Sequence, residues 1–295
     1  MKILIVLFSA LLLCVLSSSA FSESTPIINL ISDPDAQYSF KDEAVILEVV
    51  FPRVFSSDCT IIRFGEETIL VDASTDSPDM HERIRAAVEL MNIDHFDIAY
   101  NSHPHRDHIL GFPIIYEYAP FEKFYVTFPD DADFNQKKIM KFMREHDVPT
   151  ELLNHGDHLT LLADNAPVIS VIQHRDNTYW PLNDRSAMLH ISYGDRTILL
   201  TGDNETRAQK FFCENPPYVS LKSDIMKYPH HGHAPLTKEF RAAVDPKLCI
   251  LTGSVGALDQ STAYLQKQEI PYLLAYKGIT RMRTDGSIWV IDYLE

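Results

Sequence analysis

Residues 101–111, NSHPHRDHILG, place three histidines and one aspartate within six positions. Pro104 interrupts the stretch and disfavours a continuous helix, and the preceding FDIAY has the composition of a buried strand. We therefore expect the cluster to lie on a loop at the end of a strand, where α/β proteins commonly carry their chemistry. Imidazoles and carboxylates together suit zinc, manganese or iron. The candidate ligands are His103, His105, Asp107 and His108.

Three other short segments also carry aspartate or histidine, and each lies at the end of an apolar run. They are VDAS with Asp72, TGD with Asp203, and PHHGH with His230, His231 and His233. No cysteine occurs in these segments, which argues against a structural zinc site built on thiolates. An H-x-H pair on an extended loop points both rings to one side, and a carboxylate with two oxygens could bridge two ions. Two adjacent ions can clamp an ester or phosphate oxygen.

The surrounding segments alternate in a way that predicts an α/β fold. Strand-like runs and amphipathic helical runs follow one another, and the second half of the chain repeats the order of the first. Two such halves predict two sheets face to face with helices outside, a four-layer αββα sandwich formed by residues 41–295. In the first half, the predicted strands are 44–51, 59–65, 67–73 and 123–128, and the predicted helices are 78–92, 133–147 and the end of 109–119.

The order H-x-H-x-D-H after a strand, with VDA upstream and TGD downstream, resembles the metallo-β-lactamase superfamily. More narrowly, SHPHRDHILG, NDRSAMLHISYGDRTILLTGD and MKYPHHG resemble the metallo-hydrolase domain of ComEC-type competence proteins and its stand-alone secreted relatives. The resemblance implies the αββα fold and a metal-dependent hydrolase. It implies one or two divalent transition-metal ions as cofactor, with zinc preferred and manganese as the alternative.

The resemblance also implies roles for individual residues. Asp72 would orient a ligand histidine from outside the metal site. Sequence alone does not separate His230 from His231; we favour His231 as the ligand and His230 as a group that contacts a charged substrate oxygen or acts as an acid. The implied ligands are His103 and His105 for one ion, Asp107, His108 and His231 for the other, and Asp203 as the bridge.

The sequence departs from the common superfamily pattern in one respect. Many members carry a further metal histidine in a GHT context before the bridging aspartate, and here none of His155, His158, His174 and His190 has that context. His174 is the one substitute we consider, and a surface or core histidine is the simpler interpretation. The ion at His103 and His105 is therefore expected to bind more weakly, or the working enzyme to hold one ion.

Several other residues have two interpretations each. Tyr179 and Trp180 could stack on a base or sugar, but packing is the commoner use of such rings. Asn183 and Asp184 resemble a feature of the same subgroup and also suit a simple turn. Basic residues near the site that could attract a polyanion are Arg106 and Lys227.

The N-terminus has the pattern of a secretory signal peptide. Lys2 is followed by an apolar run and then by small residues, so residues 1–20 are expected to form a signal peptide. Cleavage after Ala20 or after Ser22 would fit the pattern. An uncleaved membrane anchor is the alternative. Residues 21–40 are polar and predict a linker. We expect a secreted or periplasmic protein without stable membrane insertion after cleavage, because no later segment is apolar enough to span a bilayer.

The net charge and the number of cysteines indicate which binding partners and which covalent cross-links to expect. The formal net charge is −15, and loss of residues 1–20, whose only charged residue is Lys2, makes it one unit more negative. An acidic surface disfavours non-specific nucleic-acid binding, although a metal site brings its own positive charge. Removal of residues 1–20 also removes Cys14 and leaves Cys59, Cys213 and Cys249, an odd number that argues against a full disulfide framework. The sequence leaves open whether one disulfide forms, and it predicts no oligomeric state.

We therefore expect attack of a metal-bound hydroxide on an ester, with a phosphodiester preferred, either DNA, which would make nucleic acid a partner, or a phosphodiester of the cell envelope. This substrate preference rests on the resemblance alone. A β-lactam or lactone hydrolase is the first alternative, and the missing GHT histidine counts against it. A non-enzymatic metal-binding module is the second, and the nearly complete ligand set counts against that.

Overall fold

A computed structural model of the 295-residue chain describes residues 27–31, 38–40, 44–174 and 179–294. The predicted signal peptide and most of the predicted linker lie outside these described residues. The helices are α1 (Pro78–Leu90), α2 (Arg106–Ile109), α3 (Phe112–Tyr116), α4 (Phe134–Glu145), α5 (Thr206–Glu214), α6 (Lys238–Val244) and α7 (Asp259–Lys267).

The described strands form two sheets. One has nine strands in the order β1-β16-β15-β2-β3-β4-β5-β6-β7, and the other has seven in the order β14-β13-β12-β11-β10-β9-β8. The strands are β1 (Ile28–Ile31), β2 (Leu47–Phe51), β3 (Cys59–Phe64), β4 (Glu67–Ala73), β5 (Phe96–Asn101), β6 (Phe121–Val126), β7 (Thr150–Leu152), β8 (His158–Leu159), β9 (Val168–Ile172), β10 (Met188–Tyr193), β11 (Arg196–Leu200), β12 (Ile225–Lys227), β13 (Leu248–Leu251), β14 (Tyr272–Leu274), β15 (Ile279–Thr284) and β16 (Trp289–Leu294).

Alternate residues of the strands supply two different cores. In β2, Leu47, Val49 and Phe51 pack between the two sheets, whereas Val50 packs against the helices outside the nine-stranded sheet. This alternation is the period of two expected of a strand that is covered on both faces. The outer core of the nine-stranded sheet includes residues of α1, α3 and α4, and that of the seven-stranded sheet includes residues of α5, α6 and α7. The predicted four-layer αββα sandwich is confirmed.

The sheets place the carboxyl ends of the central strands together. β4, β5 and β6 run parallel to one another, and so do β11, β12 and β13. The loops that follow parallel strands leave a sheet at the same edge. Each sheet therefore delivers the loops after its parallel strands to one edge, and these loops carry the candidate residues.

Four local predictions differ from the structure. Ile28–Ile31, inside the predicted linker, form β1 and pair with β16, so part of this segment belongs to a sheet. The histidine-rich stretch is a loop only up to His105, because Arg106–Ile109 form the short helix α2. Pro104 precedes this helix and therefore does not interrupt it. In 109–119 the helix is Phe112–Tyr116 and does not reach the end of the segment. Finally, two strands, β7 and β15, were not predicted.

Within the described residues, no helix combines the length and the apolar character that crossing a membrane requires.

Candidate metal centre

The four polar loops identified from the sequence meet at one place. Asp72 lies near the end of β4, His103 follows β5, Asp203 follows β11 and His231 follows β12. All four side chains are buried. Two overlapping groups of side chains have ligand atoms within 4.8 Å of one another: Asp58, His108, Asp203 and His231 in one, and His103, His105 and Asp203 in the other.

The Asp203 carboxylate is at the centre of both groups. Its side chain is fully buried, and neither of its oxygens has a hydrogen-bond partner. Four imidazole nitrogens face its Oδ2: Nε2 of His108 at 3.1 Å, of His231 at 3.4 Å, of His103 at 3.7 Å and of His230 at 3.8 Å.

A buried carboxylate without hydrogen bonds is costly unless another group compensates it. Nε2 of His103 and Nε2 of His108 are likewise buried without a hydrogen-bond partner. These atoms without partners are imidazole nitrogens and carboxylate oxygens that face one another. Divalent transition metals prefer ligand atoms of these two kinds. The residues therefore fit one or two such ions.

A tight turn positions Asp203. Gly202 has a φ of 54°, and a Cβ on it would lie 2.9 Å from Ser186 Oγ, so the position favours glycine. The backbone N–H of Asp203 donates to Ser186 Oγ at 3.0 Å, and Asn204 Nδ2 donates to the Ser186 carbonyl at 3.0 Å. Ser186 of the NDRS segment thus holds the turn that carries the central carboxylate.

The Asp72 carboxylate contacts a histidine of the centre on the side away from Asp203. Its Oδ2 lies 2.8 Å from His108 Nδ1, and its Oδ1 accepts hydrogen bonds from Asn101 Nδ2 at 2.9 Å and from the Ser102 backbone N–H at 2.8 Å. Ser102 Oγ donates to Oδ2 at 2.7 Å and also lies 3.1 Å from His103 Nδ1. Asp72 therefore fixes one ring directly and a second through Ser102, leaving both Nε2 atoms to face Asp203.

Asp58 contacts His231 as Asp72 contacts His108, and no motif in the sequence pointed to it. Asp58 Oδ1 lies 3.0 Å from His231 Nδ1 and accepts from Thr252 Oγ1 at 2.6 Å. Its Oδ2 forms an ion pair with the ammonium of Lys227. Because both oxygens are engaged, Asp58 is placed to orient His231 rather than to bind an ion.

Asp107, His105 and His230 lie on the more open side of the centre. Asp107 Oδ2 accepts a hydrogen bond from His231 Nε2 at 3.1 Å, and the rings of His103 and His105 are 4.7 Å apart. His230 is 28% exposed, and its Nδ1 lies 3.0 Å from Glu205 Oε1. The consecutive residues His230 and His231 both have positive φ, 49° and 58°, a conformation that non-glycine residues adopt rarely and often at functional sites.

The ionisable groups compensate one another. Burial would lower the pKa of His108, but the carboxylates of Asp203 and Asp72 outweigh burial and hold it well above its usual value. Burial would likewise raise the pKa of Asp203, but His108 and His231 hold it well below its usual value. Despite its burial, Asp203 and Asp58 raise the pKa of His231 to about 10. Burial and His108 instead keep the pKa of His103 well below its usual value. The carboxylates thus require positive charge at this centre, which protons or a divalent ion can supply.

Other residues named in the sequence analysis have other surroundings. His174 stacks on Phe211, with ring centroids 3.9 Å apart, and belongs to neither ligand group. Trp180 packs against the same two rings, at 4.6 Å from His174 and 5.7 Å from Phe211, whereas Tyr179 is exposed. His233 is exposed beside His230, with ring centroids 5.8 Å apart.

The basic residues and the cysteines also differ in their settings. Arg106 is exposed and pairs with Asp76 at 3.0 Å. Lys227 is 2% exposed, so the prediction that it attracts polyanions is wrong; the inner face of β12 turns its ammonium toward Asp58 instead. The three described cysteines, Cys59, Cys213 and Cys249, are free thiols.

Comparisons with known proteins agree with this fold. The model of the metallo-beta-lactamase superfamily matches residues 52–248. The chain belongs to the metallo-beta-lactamase superfamily, whose members are largely hydrolases. A comparison with curated proteins finds no match.

Solved structures share the fold at low sequence identity. CmlA, a diiron beta-hydroxylase from Streptomyces venezuelae, superposes with a TM-score of 0.52 at 13% identity over 83% of this chain and 54% of that one. The chain therefore spans about half the length of that hydroxylase. Igni18, a metallo hydrolase from Ignicoccus hospitalis, gives a TM-score of 0.47 at 12% identity over 85% of this chain and 100% of that one. At 13% identity the likeness to CmlA concerns the fold alone.

Proposed function

We propose that this protein is a metal-dependent phosphodiesterase. One observation carries the metal dependence: the buried Asp203 carboxylate has no hydrogen-bond partner and is faced by four imidazole nitrogens within 3.8 Å. In this proposal His103 and His105 hold one ion, Asp107, His108 and His231 hold the other, and Asp203 lies between them. Zinc is the preferred ion and manganese the alternative.

When bound, such ions supply Lewis acidity and a water made acidic enough to attack an ester near neutral pH. The residues of this chain have the remaining tasks. Asp72 and Asp58 hold the rings of His108 and His231 in place, and the burial of these four side chains excludes bulk water from the inner side of the centre. The open side, where Asp107 is partly exposed, is where a substrate can enter.

The substrate class rests on the open side and on the sequence resemblance. The ring of His233 is exposed there, and an imidazole can donate a hydrogen bond to a phosphate oxygen. The resemblance to the metallo-hydrolase domain of ComEC-type proteins supports a phosphodiester. Of the two basic residues considered for this role, Lys227 is buried and Arg106 is exposed but paired with Asp76. We therefore expect weak DNA affinity with a shallow salt dependence compared with a basic DNA-binding protein.

The test is hydrolysis by the purified protein loaded with zinc or manganese. We expect turnover of bis-p-nitrophenyl phosphate, slow and sequence-tolerant cleavage of single-stranded DNA, and no turnover of nitrocefin above that of the Asp203→Ala protein. Fast nitrocefin hydrolysis without phosphodiester turnover would support the β-lactam alternative. Bound metal without turnover of any of the three substrates would favour a non-enzymatic module.

We predict that Asp72→Asn weakens metal affinity and turnover by about 10–100-fold without abolishing either, as changes in groups that orient ligands do. Asparagine tolerates the positive φ of 55° at this position, so the backbone is retained while the carboxylate facing His108 loses its charge. Metal affinity is measured by competition with a chromophoric chelator. Asp76→Asn, on the exposed partner of Arg106, is the matched control and should match the wild type. Complete loss of metal in Asp72→Asn would make Asp72 a ligand.

We further propose that the protein acts outside the cytoplasm, on the basis of the signal-peptide pattern in residues 1–22. The mature N-terminus of the protein exported by a bacterial host, read by mass spectrometry, tests this. Cleavage after Ala20 or Ser22 is the expected result, and an intact N-terminus in the cytoplasmic fraction would contradict it.

A further inference from the structure

Three imidazoles of the centre share one arrangement. In each, Nδ1 faces a carboxylate and Nε2 faces Oδ2 of Asp203. Two of these rings, His108 with Asp72 and His231 with Asp58, already belong to the ligand groups. The third is His230, whose Nδ1 lies 3.0 Å from Glu205 Oε1 and whose Nε2 lies 3.8 Å from Asp203 Oδ2.

The Glu205 carboxylate determines what His230 can do. An ionised carboxylate only accepts hydrogen bonds, so it favours the ring form with the hydrogen on Nδ1. In the neutral ring this leaves a lone pair on Nε2, on the side that faces Asp203. A histidine whose second nitrogen is held by a carboxylate is the usual form of a metal-bound histidine. The geometry thus gives Nε2 of His230 the properties of a ligand atom.

The position of Glu205 is itself built into the fold. Asn183 Nδ2 donates to Glu205 Oε1 at 3.0 Å. Asp184 Oδ1 accepts from the backbone N–H of Glu205 at 3.2 Å and of Ala208 at 3.0 Å, at the start of α5. The Asn183–Asp184 turn therefore fixes both the side chain and the backbone of Glu205. The turn thus helps to position Glu205 beside His230.

We propose that His230 is a further metal ligand, completing the site formed by His103, His105 and Asp203, and that Glu205 is its positioning residue. This inference rests on the metal dependence proposed above. The group of His103, His105 and Asp203 contains two imidazoles. His230 adds a third, and three imidazoles are a ligand set of catalytic zinc sites, which keep a further position open for water or substrate. The inference replaces the role of substrate contact or acid that the sequence suggested for His230.

Of the four rings whose Nε2 faces Oδ2 of Asp203, His230 is the farthest, at 3.8 Å, and the one that is partly exposed. A ligand at the mouth of the site can leave and return more easily than a buried one. We therefore expect the ion that it helps to hold to be the more weakly bound of the two, and its affinity to depend on Glu205.

The test is a zinc titration of the metal-free full chain, followed by elemental analysis after gel filtration. The wild type should bind two ions with separate affinities. His230→Ala should keep the tighter ion and lose at least about tenfold in affinity for the weaker one. His233→Ala, on the exposed neighbouring ring, is the matched control and should bind both ions as the wild type does. Glu205→Ala should weaken the second ion alone, and Glu205→Gln, which keeps an acceptor for Nδ1 without the charge, should have a smaller effect.

A second readout does not depend on affinity. In protein labelled with ¹⁵N-histidine, the His230 ring should carry its hydrogen on Nδ1, and zinc should shift the Nε2 resonance of His230 but not that of His233. Two ions bound with unchanged affinities in His230→Ala would overturn the inference, and so would a wild type that binds a single ion at saturation. A wild type that binds two ions but hydrolyses no phosphodiester would contradict the proposed substrate and leave the ligand assignment standing.

Discussion

Asp203→Asn is expected to abolish metal retention and turnover together. Asp203 is the one carboxylate that belongs to both ligand groups, and asparagine keeps its shape while removing the charge that faces His103, His108 and His231. Metal catalysis contributes several kcal/mol of transition-state stabilisation. Because each 1.36 kcal/mol is a factor of ten in rate, turnover of bis-p-nitrophenyl phosphate should fall at least about 10³-fold.

The measurement pairs elemental analysis of the reconstituted protein with the rate of phosphodiester hydrolysis. Asp195→Asn, the same substitution at an exposed turn, is the control and should match the wild type in both. Circular dichroism checks that the variant is folded. We expect it to be, because the hydrogen bonds from the Asp203 backbone N–H to Ser186 Oγ and from Asn204 Nδ2 to the Ser186 carbonyl do not involve the substituted side chain. An Asp203→Asn protein that keeps both ions would contradict the central position of this carboxylate.

The αββα fold was predictable because local pattern determines most of it. The runs that become β3 and β4 are short and apolar, and the strands are buried over nearly their whole length. The run that becomes α1 has the helical period of its buried face. The positions of Asp72, His103 and Asp203 were predictable for a related reason: each lies at or just after the end of an apolar strand, and parallel strands bring such ends to one edge. A short strand such as β1 has too few residues to show a period, and its pairing with β16 depends on a partner far along the chain.

The groups that support the centre could not be predicted in the same way. Asp58 and Glu205 lie outside the histidine motifs, and they become part of the site only through contacts across the fold, Asp58 with His231 and Glu205 with His230. No local signal in the sequence marks such pairs. Lysine is rarely buried unless it is paired, so from sequence alone Lys227 was assigned to the surface.

Lys227→Met should destabilise the metal-free protein by about 3–5 kcal/mol, the usual cost of removing one partner of a buried ion pair. The Lys227 ammonium contacts the Asp58 carboxylate, donates to the Gly202 carbonyl at 3.1 Å and lies 3.6 Å from Asp203 Oδ1. Burial would lower the pKa of Lys227, but the two carboxylates raise it above its usual value, so the side chain is a fixed positive charge. Methionine fills a similar volume and leaves both carboxylates without that charge.

Urea unfolding of the metal-free protein measures this effect. Lys222→Met, at an exposed lysine whose contact with Asp245 is 3.8 Å, is the control and should cost less than about 1 kcal/mol. The double variant Asp58→Asn/Lys227→Met should be less destabilised than the sum of the two single variants, because removing both charges of a pair leaves neither uncompensated. Saturating zinc should restore part of the lost stability of Lys227→Met, because ligands that bind only the native state stabilise it. A loss below about 1 kcal/mol, or strict additivity in the double variant, would show that Lys227 does not neutralise Asp58 and that another cation must balance the carboxylates beneath the centre.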